Sequence, residues 1–239
     1  MPGHLIGSAM YKGYQIKTMD KGEFLMSMNM KEKSVTIQQL QHYLVCEKLS
    51  HITSILTYRY GVKVTPISFY PYGSYELVLK GEEPDSNISI WYESNKIIQK
   101  KADEESLKIW TYFVSQLPSD YPMDNEEKAV VATFPEGVQQ TCISNMSPAE
   151  RIHPNEVELR QSLASERLSH IASILQYRYD IEAVPVIKVK DAIYQICAKD
   201  FRGGEDAGHS YSIKDMLECN AEQEAYFFRM LYLWHTTFS

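Results

Sequence analysis

The chain has 239 residues, 44% of them hydrophobic, and a formal net charge of −7 from 31 acidic and 24 basic side chains. That is the balance of a soluble globular protein, and no run approaches the roughly 18 unbroken apolar residues of a spanning helix. The N-terminus lacks the basic region and apolar run of a secretory signal, so a cytoplasmic, intracellular protein with no membrane partner is expected.

Along the chain, Tyr14 to Thr18, a turn at Asp20 to Gly22, and Phe24 to Met28 read as a hairpin. Next, Leu40, Val45, Leu49, Ile52 and Leu56 recur at helical spacing, with Gly61 as a left-handed cap. Three strands follow, Val64 to Tyr70, Tyr75 to Leu79 and Ile88 to Tyr92, separated by Pro/Gly-containing turns. A closing helix carries Leu107, Trp110, Phe113, Val114 and Leu117, with Asp103, Glu104 and Glu105 in its first turn.

The same order then recurs. Val130 to Phe134 and Val138 to Ile143 form the second hairpin, and Leu159, Ala164, Leu168, Ile171 and Leu175 mark the second central helix. The strands are Val184 to Val189, Ala192 to Ala198 and Ser210 to Ile213. The closing helix holds Tyr226, Phe227, Met230, Leu231 and Trp234.

The repetition reaches the level of residues. EKLSHITSILTYRYGVKVTPI, starting at Glu47, and ERLSHIASILQYRYDIEAVPV, starting at Glu166, match without a gap at 12 of 21 positions. The expectation is an α+β fold made by tandem duplication of a ββαβββα unit. Each unit would be a five-stranded, largely antiparallel sheet packed by two helices, and the pair a pseudo-twofold dimer within one chain. The units span 11–118 and 129–239, joined by an acidic, proline-containing linker at 119–128.

One polar constellation is kept in both copies. Glu47, His51, Ser54 and Tyr58 form a stripe on one helix face, and Glu166, His170, Ser173 and Tyr177 reproduce it. Histidine with a carboxylate and a hydroxyl is acid–base chemistry in residue type. The plainer readings are helix stabilisation by an i, i+4 pair, or a contact between the two repeats, where a twofold axis presents one patch from both sides. Neither copy has a second histidine at helical spacing from the first or a glycine-rich loop to complete a catalytic centre, so no catalytic residue is assigned.

Cys46, Cys142, Cys197 and Cys219 lack metal spacing, and Cys46 aligns with Ser165. Reduced thiols, no metal and no cofactor are therefore expected. The aromatic surplus of 17 Tyr, 8 Phe and 3 Trp exceeds what a core needs. Tyr70, Tyr72 and Tyr75 around one turn, with Trp91 beside Tyr92, are the candidate binding surface.

The element order resembles, at the level of fold alone, the roadblock/longin adaptors and the duplicated saddle of TATA-binding-like proteins. The saddle implies nucleic acid. The acidic balance argues against it, since the longest basic cluster is Lys96, Lys100 and Lys101. The leading expectation is a non-enzymatic protein-binding module (adaptor, chaperone-like or inhibitory) that uses an aromatic surface to hold another protein. An enzyme built on the duplicated stripe is the alternative, followed by a saddle-like nucleic-acid binder.

Overall fold

The computed structural model describes residues 8–11, 14–17, 35–69, 73–80, 87–116, 155–188, 193–199 and 207–238. It is a mixed α+β structure with two three-stranded antiparallel sheets and six helices, and no closed barrel among the described residues. A small hairpin comes first, β1 (Ser8–Tyr11) paired with β2 (Tyr14–Lys17). Helix α1 spans Ile37–Tyr58, followed by strands β3 (Val64–Phe69), β4 (Ser74–Leu79) and β5 (Ile88–Glu93). Helices α2 (Ser94–Ile98) and α3 (Ala102–Ser115) close the first half. The second half has α4 (Glu156–Tyr179), β6 (Ala183–Lys188), β7 (Ile193–Ala198), β8 (Ala207–Tyr211), α5 (Ile213–Glu218) and α6 (Ala221–Phe238).

The expected five-stranded sheets are not what the described residues form. Each sheet has three strands, in the orders β3-β4-β5 and β6-β7-β8, and β1–β2 is a separate pair. The first hairpin turns earlier than its sequence pattern suggests, between Tyr11 and Tyr14. Its expected return through Phe24 to Met28, the whole second hairpin and the 119–128 linker lie outside the described residues.

Another difference has a local cause. The last strand of the second half stops at Tyr211, where Ser212 accepts the Asp215 N–H and Asp215 answers the Ser212 N–H. That reciprocal capping box starts α5 where alternating residues suggest that the strand goes on.

The same device starts both central helices. Thr36 with Gln39 caps α1, and Asn155 with Glu158 caps α4. A left-handed residue marks each exit, 119 positions apart: Gly61 (φ +69°), two residues past the Arg59 cap of α1, and Asp180 (φ +53°), the cap of α4. Pro66 and Pro185 sit in β3 and β6, the edge strands, where a missing N–H costs no ladder bond. The middle strands turn alternate residues inward, Tyr75, Leu77 and Leu79 in one and Tyr194, Ile196 and Ala198 in the other.

Each sheet packs its own helices into its own core. A third cluster, Leu40, Leu44, Leu159, Leu163 and Leu217, joins the N-terminal ends of α1 and α4. Tyr177 of α4 packs on the first core and Tyr58 of α1 on the second. Contacts between α1 and α4 run in the same order along both helices, so the helices lie side by side and parallel. No helix of the described residues is long and apolar enough to cross a membrane.

Candidate functional site

The parallel pairing of α1 and α4 brings six of the eight stripe residues into one buried layer. Each histidine finds its partners on the opposite helix. His51 Nδ1 lies 2.8 Å from Glu166 Oε1, and its Nε2 lies 2.8 Å from Ser173 Oγ. His170 Nδ1 lies 2.8 Å from Glu47 Oε1, and its Nε2 lies 2.8 Å from Ser54 Oγ. The two rings stack with centroids 5.1 Å apart. A carboxylate only accepts, so Nδ1 carries the proton in each ring and Nε2 accepts from the serine hydroxyl.

Charges in this layer balance. The Arg167 Nε donates to Glu47 Oε2 at 2.9 Å, and its Nη1 donates to the carbonyls of Met216 and Leu217 at 2.8 and 2.9 Å. Lys48 pairs with Glu166 at the corresponding place. Burial alone pushes the Glu47 carboxyl up. Arg167 and the His170 hydrogen bond outweigh it and hold the group at about 2. Burial pulls His51 below the ordinary imidazole range, against the opposing pull of Glu166, which keeps the ring neutral. Cys46, enclosed beside Glu47, has its thiol pushed up by burial and by that charge, and is therefore inert at neutral pH.

The remaining two stripe residues form the rim. Tyr58 donates to Glu222 Oε1 at 2.8 Å, and Arg178 reaches Glu222 Oε2 at 2.6 Å and Tyr58 Oη at 3.2 Å. On the other side Arg59 donates to Tyr177 Oη at 3.2 Å, with Asp103 close by. Burial and the Glu222 carboxylate push the Tyr58 hydroxyl up to about 12.

Ser–His–Glu in this order, with both bonds at 2.8 Å, is the connectivity of a hydrolytic triad. Access is what it lacks: Ser54 and Ser173 are 7% and 9% exposed, and both lie inside helices whose N–H groups are committed to the helix ladder. What the layer does is hold two helices in one register, because any slip leaves two carboxylates and two imidazoles unpaired in the interior.

The aromatic candidates fall elsewhere. Tyr75 is buried in the first core, its hydroxyl 2.8 Å from His42 Nδ1. Trp91 lies on the outer sheet face, 47% exposed. Tyr70 and Tyr72 lie outside the described residues. Among the described residues no three His, Cys, Asp or Glu side chains gather into a metal-binding group.

The sequence reading missed Arg167, Lys48, Asp103 and Glu222. The usable signal was there, since the two acids that meet the rim tyrosines stand 119 residues apart, at the same offset as the matched helices. In α6 the buried residues are Ala221, Ala225 and Phe228, while Tyr226, Phe227, Met230, Leu231 and Trp234 are 52%, 47%, 48%, 39% and 67% exposed. No protein-family model, no curated protein and no solved structure matches this chain.

Proposed function

We propose that the chain is a non-enzymatic protein-binding module, built by tandem duplication and arranged as a pseudo-dimer. In this reading each unit is ββαβββα, with the hairpin ahead of each central helix completing five strands. The constant offset supports it: Tyr75 and Tyr194, Tyr92 and Tyr211, Asp103 and Glu222, and Ile109 and Phe228 stand 119 residues apart and occupy like places.

The observation that carries the function is the outer face of α6. Phe227, Met230, Leu231 and Trp234 follow the i, i+3, i+4, i+7 spacing of a helix that seats in an apolar groove. The same positions of α3 hold Lys108, Thr111, Tyr112 and Ser115. Of these, Lys108 and Ser115 are exposed, Tyr112 is half-buried and Thr111 is buried, so what α3 exposes there is mainly polar where α6 is apolar. The partner is another protein with an apolar groove, and the buried histidine layer keeps α6 on a rigid base.

The test places a photocrosslinking amino acid at position 231 or, as control, at 112, and irradiates in the source cell. Crosslinks to a single heavier species from 231 only, lost with Phe227→Glu, are expected. Crosslinks only to a second copy of the chain, or none, would overturn the reading.

The triad connectivity favours a second reading, a serine hydrolase. It requires that a fluorophosphonate label Ser54 or Ser173, and that Ser54→Ala or Ser173→Ala remove the label. Labelling of that kind would replace the binding-module reading.

A further inference from the structure

One buried charge in the first half has no answer. Glu76 stands in the middle of β4, between Tyr75 and Leu77 of the first core. Strand alternation turns it the other way, to the outer face of the sheet. There it is only 9% exposed, yet no hydrogen bond or ion pair meets its carboxylate among the described residues. Its neighbours in register are Ile67 on β3 and Trp91 on β5. The side chain thus stands between an aliphatic and an aromatic wall, and its oxygens are not sealed from solvent.

The fold does not require a charge at this place. In the second half the same register position is Gln195, between Val186 on β6 and Ser210 on β8. That half builds the same three-stranded ladder with a neutral amide opposite a serine. A carboxylate drawn out of water with no cation beside it is unfavourable, and a bound cation relieves it. Glu93, next to Trp91 on the same face, adds a second negative charge, partly answered by Lys96 at 3.4 Å.

We propose that Glu76 and Trp91 form a docking site for an arginine side chain of a partner protein. Side chains directly opposed across an antiparallel pair stand about 5 Å apart at Cβ. A planar guanidinium therefore gives two N–H bonds to the carboxylate while it covers the indole, within the roughly 6 Å reach of a cation–π contact. An ammonium has neither the fork nor the flat face. Trp91 is 47% exposed, so the pair encloses too little of a free small ion, and suits a group carried on a larger surface. The site lies on the first sheet, needs nothing from α6, and rests on the protein-binding reading only for the class of its partner.

The test uses the full chain with 5-fluorotryptophan at its three tryptophans, the Trp91 ¹⁹F signal being assigned by Trp91→Phe. Acetyl-Gly-Arg-Gly-amide at low salt should shift that signal saturably while those of Trp110 and Trp234 stay still. The isosteric citrulline peptide, which lacks the charge, should leave it unmoved. Glu76→Gln, which installs the second half's residue, should weaken binding at least about tenfold, the loss of a charge-assisted pair. Where that variant does not fold, Trp91→Leu, followed through β4 amide signals, should weaken binding about threefold. No saturable shift, an equal shift with the citrulline peptide, or unchanged binding in a folded variant would overturn the proposal. Tighter binding of methylguanidinium than of the arginine peptide would assign the site to a free small cation and overturn the protein partner. Crosslinking from position 231 reports on α6 alone, so the two tests fail independently.

Discussion

Replacing Arg167 by methionine tests the central layer most directly. The side chain is 1% exposed, and its hydrogen bonds include one to Glu47 and two to the carbonyls of Met216 and Leu217. Methionine keeps most of the volume, so the loss is electrostatic: a carboxylate stays buried with only His170 to answer it, and two carbonyls lose their donor. Removing one partner of a buried ion pair costs about 3–5 kcal/mol. With a urea m-value of about 2 kcal/mol/M, the midpoint should fall by roughly 2 M. Urea unfolding should be followed by circular dichroism and tyrosine fluorescence together, since coincident curves are needed for a two-state reading. Glu47→Gln/Arg167→Met should be less destabilised than the sum of its single variants, because the neutral amide no longer needs the guanidinium. A loss below about 1 kcal/mol for Arg167→Met, or strict additivity, would refute the account of this layer as a mutually dependent charge network.

Acid should unfold the protein through the same residues. Glu47 sits at about 2 against an ordinary 4.5, so its contribution is full above the ordinary carboxylate range and is lost as pH falls from about 4.5 towards 2, on the order of 3 kcal/mol. His51 is also lowered, so its contribution is present above the ordinary 6.5 and declines on acidification below it. Melting temperatures from pH 8 to 2 should be flat and then fall, and a rise on acidification would contradict both assignments. His51→Ala and His170→Ala should each cost about 1–2 kcal/mol. Their rings are in contact, so the double variant should depart from additivity by at least about 0.5 kcal/mol in denaturant titration. Thr36→Ala and Asn155→Ala each remove an N-cap and should cost about 1 kcal/mol in the same assay.

Much of this architecture is written in short-range patterns. The apolar seam Leu40, Val45, Leu49, Ile52 and Leu56 and its counterpart on α4 are fully buried, as helical spacing requires. Other features depend on orientation, which periodicity does not encode. Glu47 and His51 stand four apart on α1, the spacing of an intrahelical pair, yet each turns to the neighbouring helix because α1 and α4 run parallel. Asp103 and Glu222 reach the rim only after three strands and a loop have been folded back. On α6, large residues at helical spacing look like a core stripe, yet Phe227, Met230, Leu231 and Trp234 are exposed. Here Ala221, Ala225 and Phe228 make the buried contact, so side-chain size alone does not decide which face goes inward.

The partners of the histidine layer are far apart in the chain, and this bears on the order in which the protein is made. His51 and Glu166 are separated by 115 residues, Glu47 and His170 by 123. At about 5–20 residues per second of synthesis, α1 waits roughly 6–25 s for α4 to leave the ribosome. During that interval the nascent first half can close its own sheet and core, but it carries Glu47, His51 and Ser54 on an unmatched helix face. Contacts of such long sequence separation also slow folding, because loop closure precedes any reward. The layer that fixes the finished register is thus among the last parts to form, and the growing chain depends longest on whatever shields that face during translation.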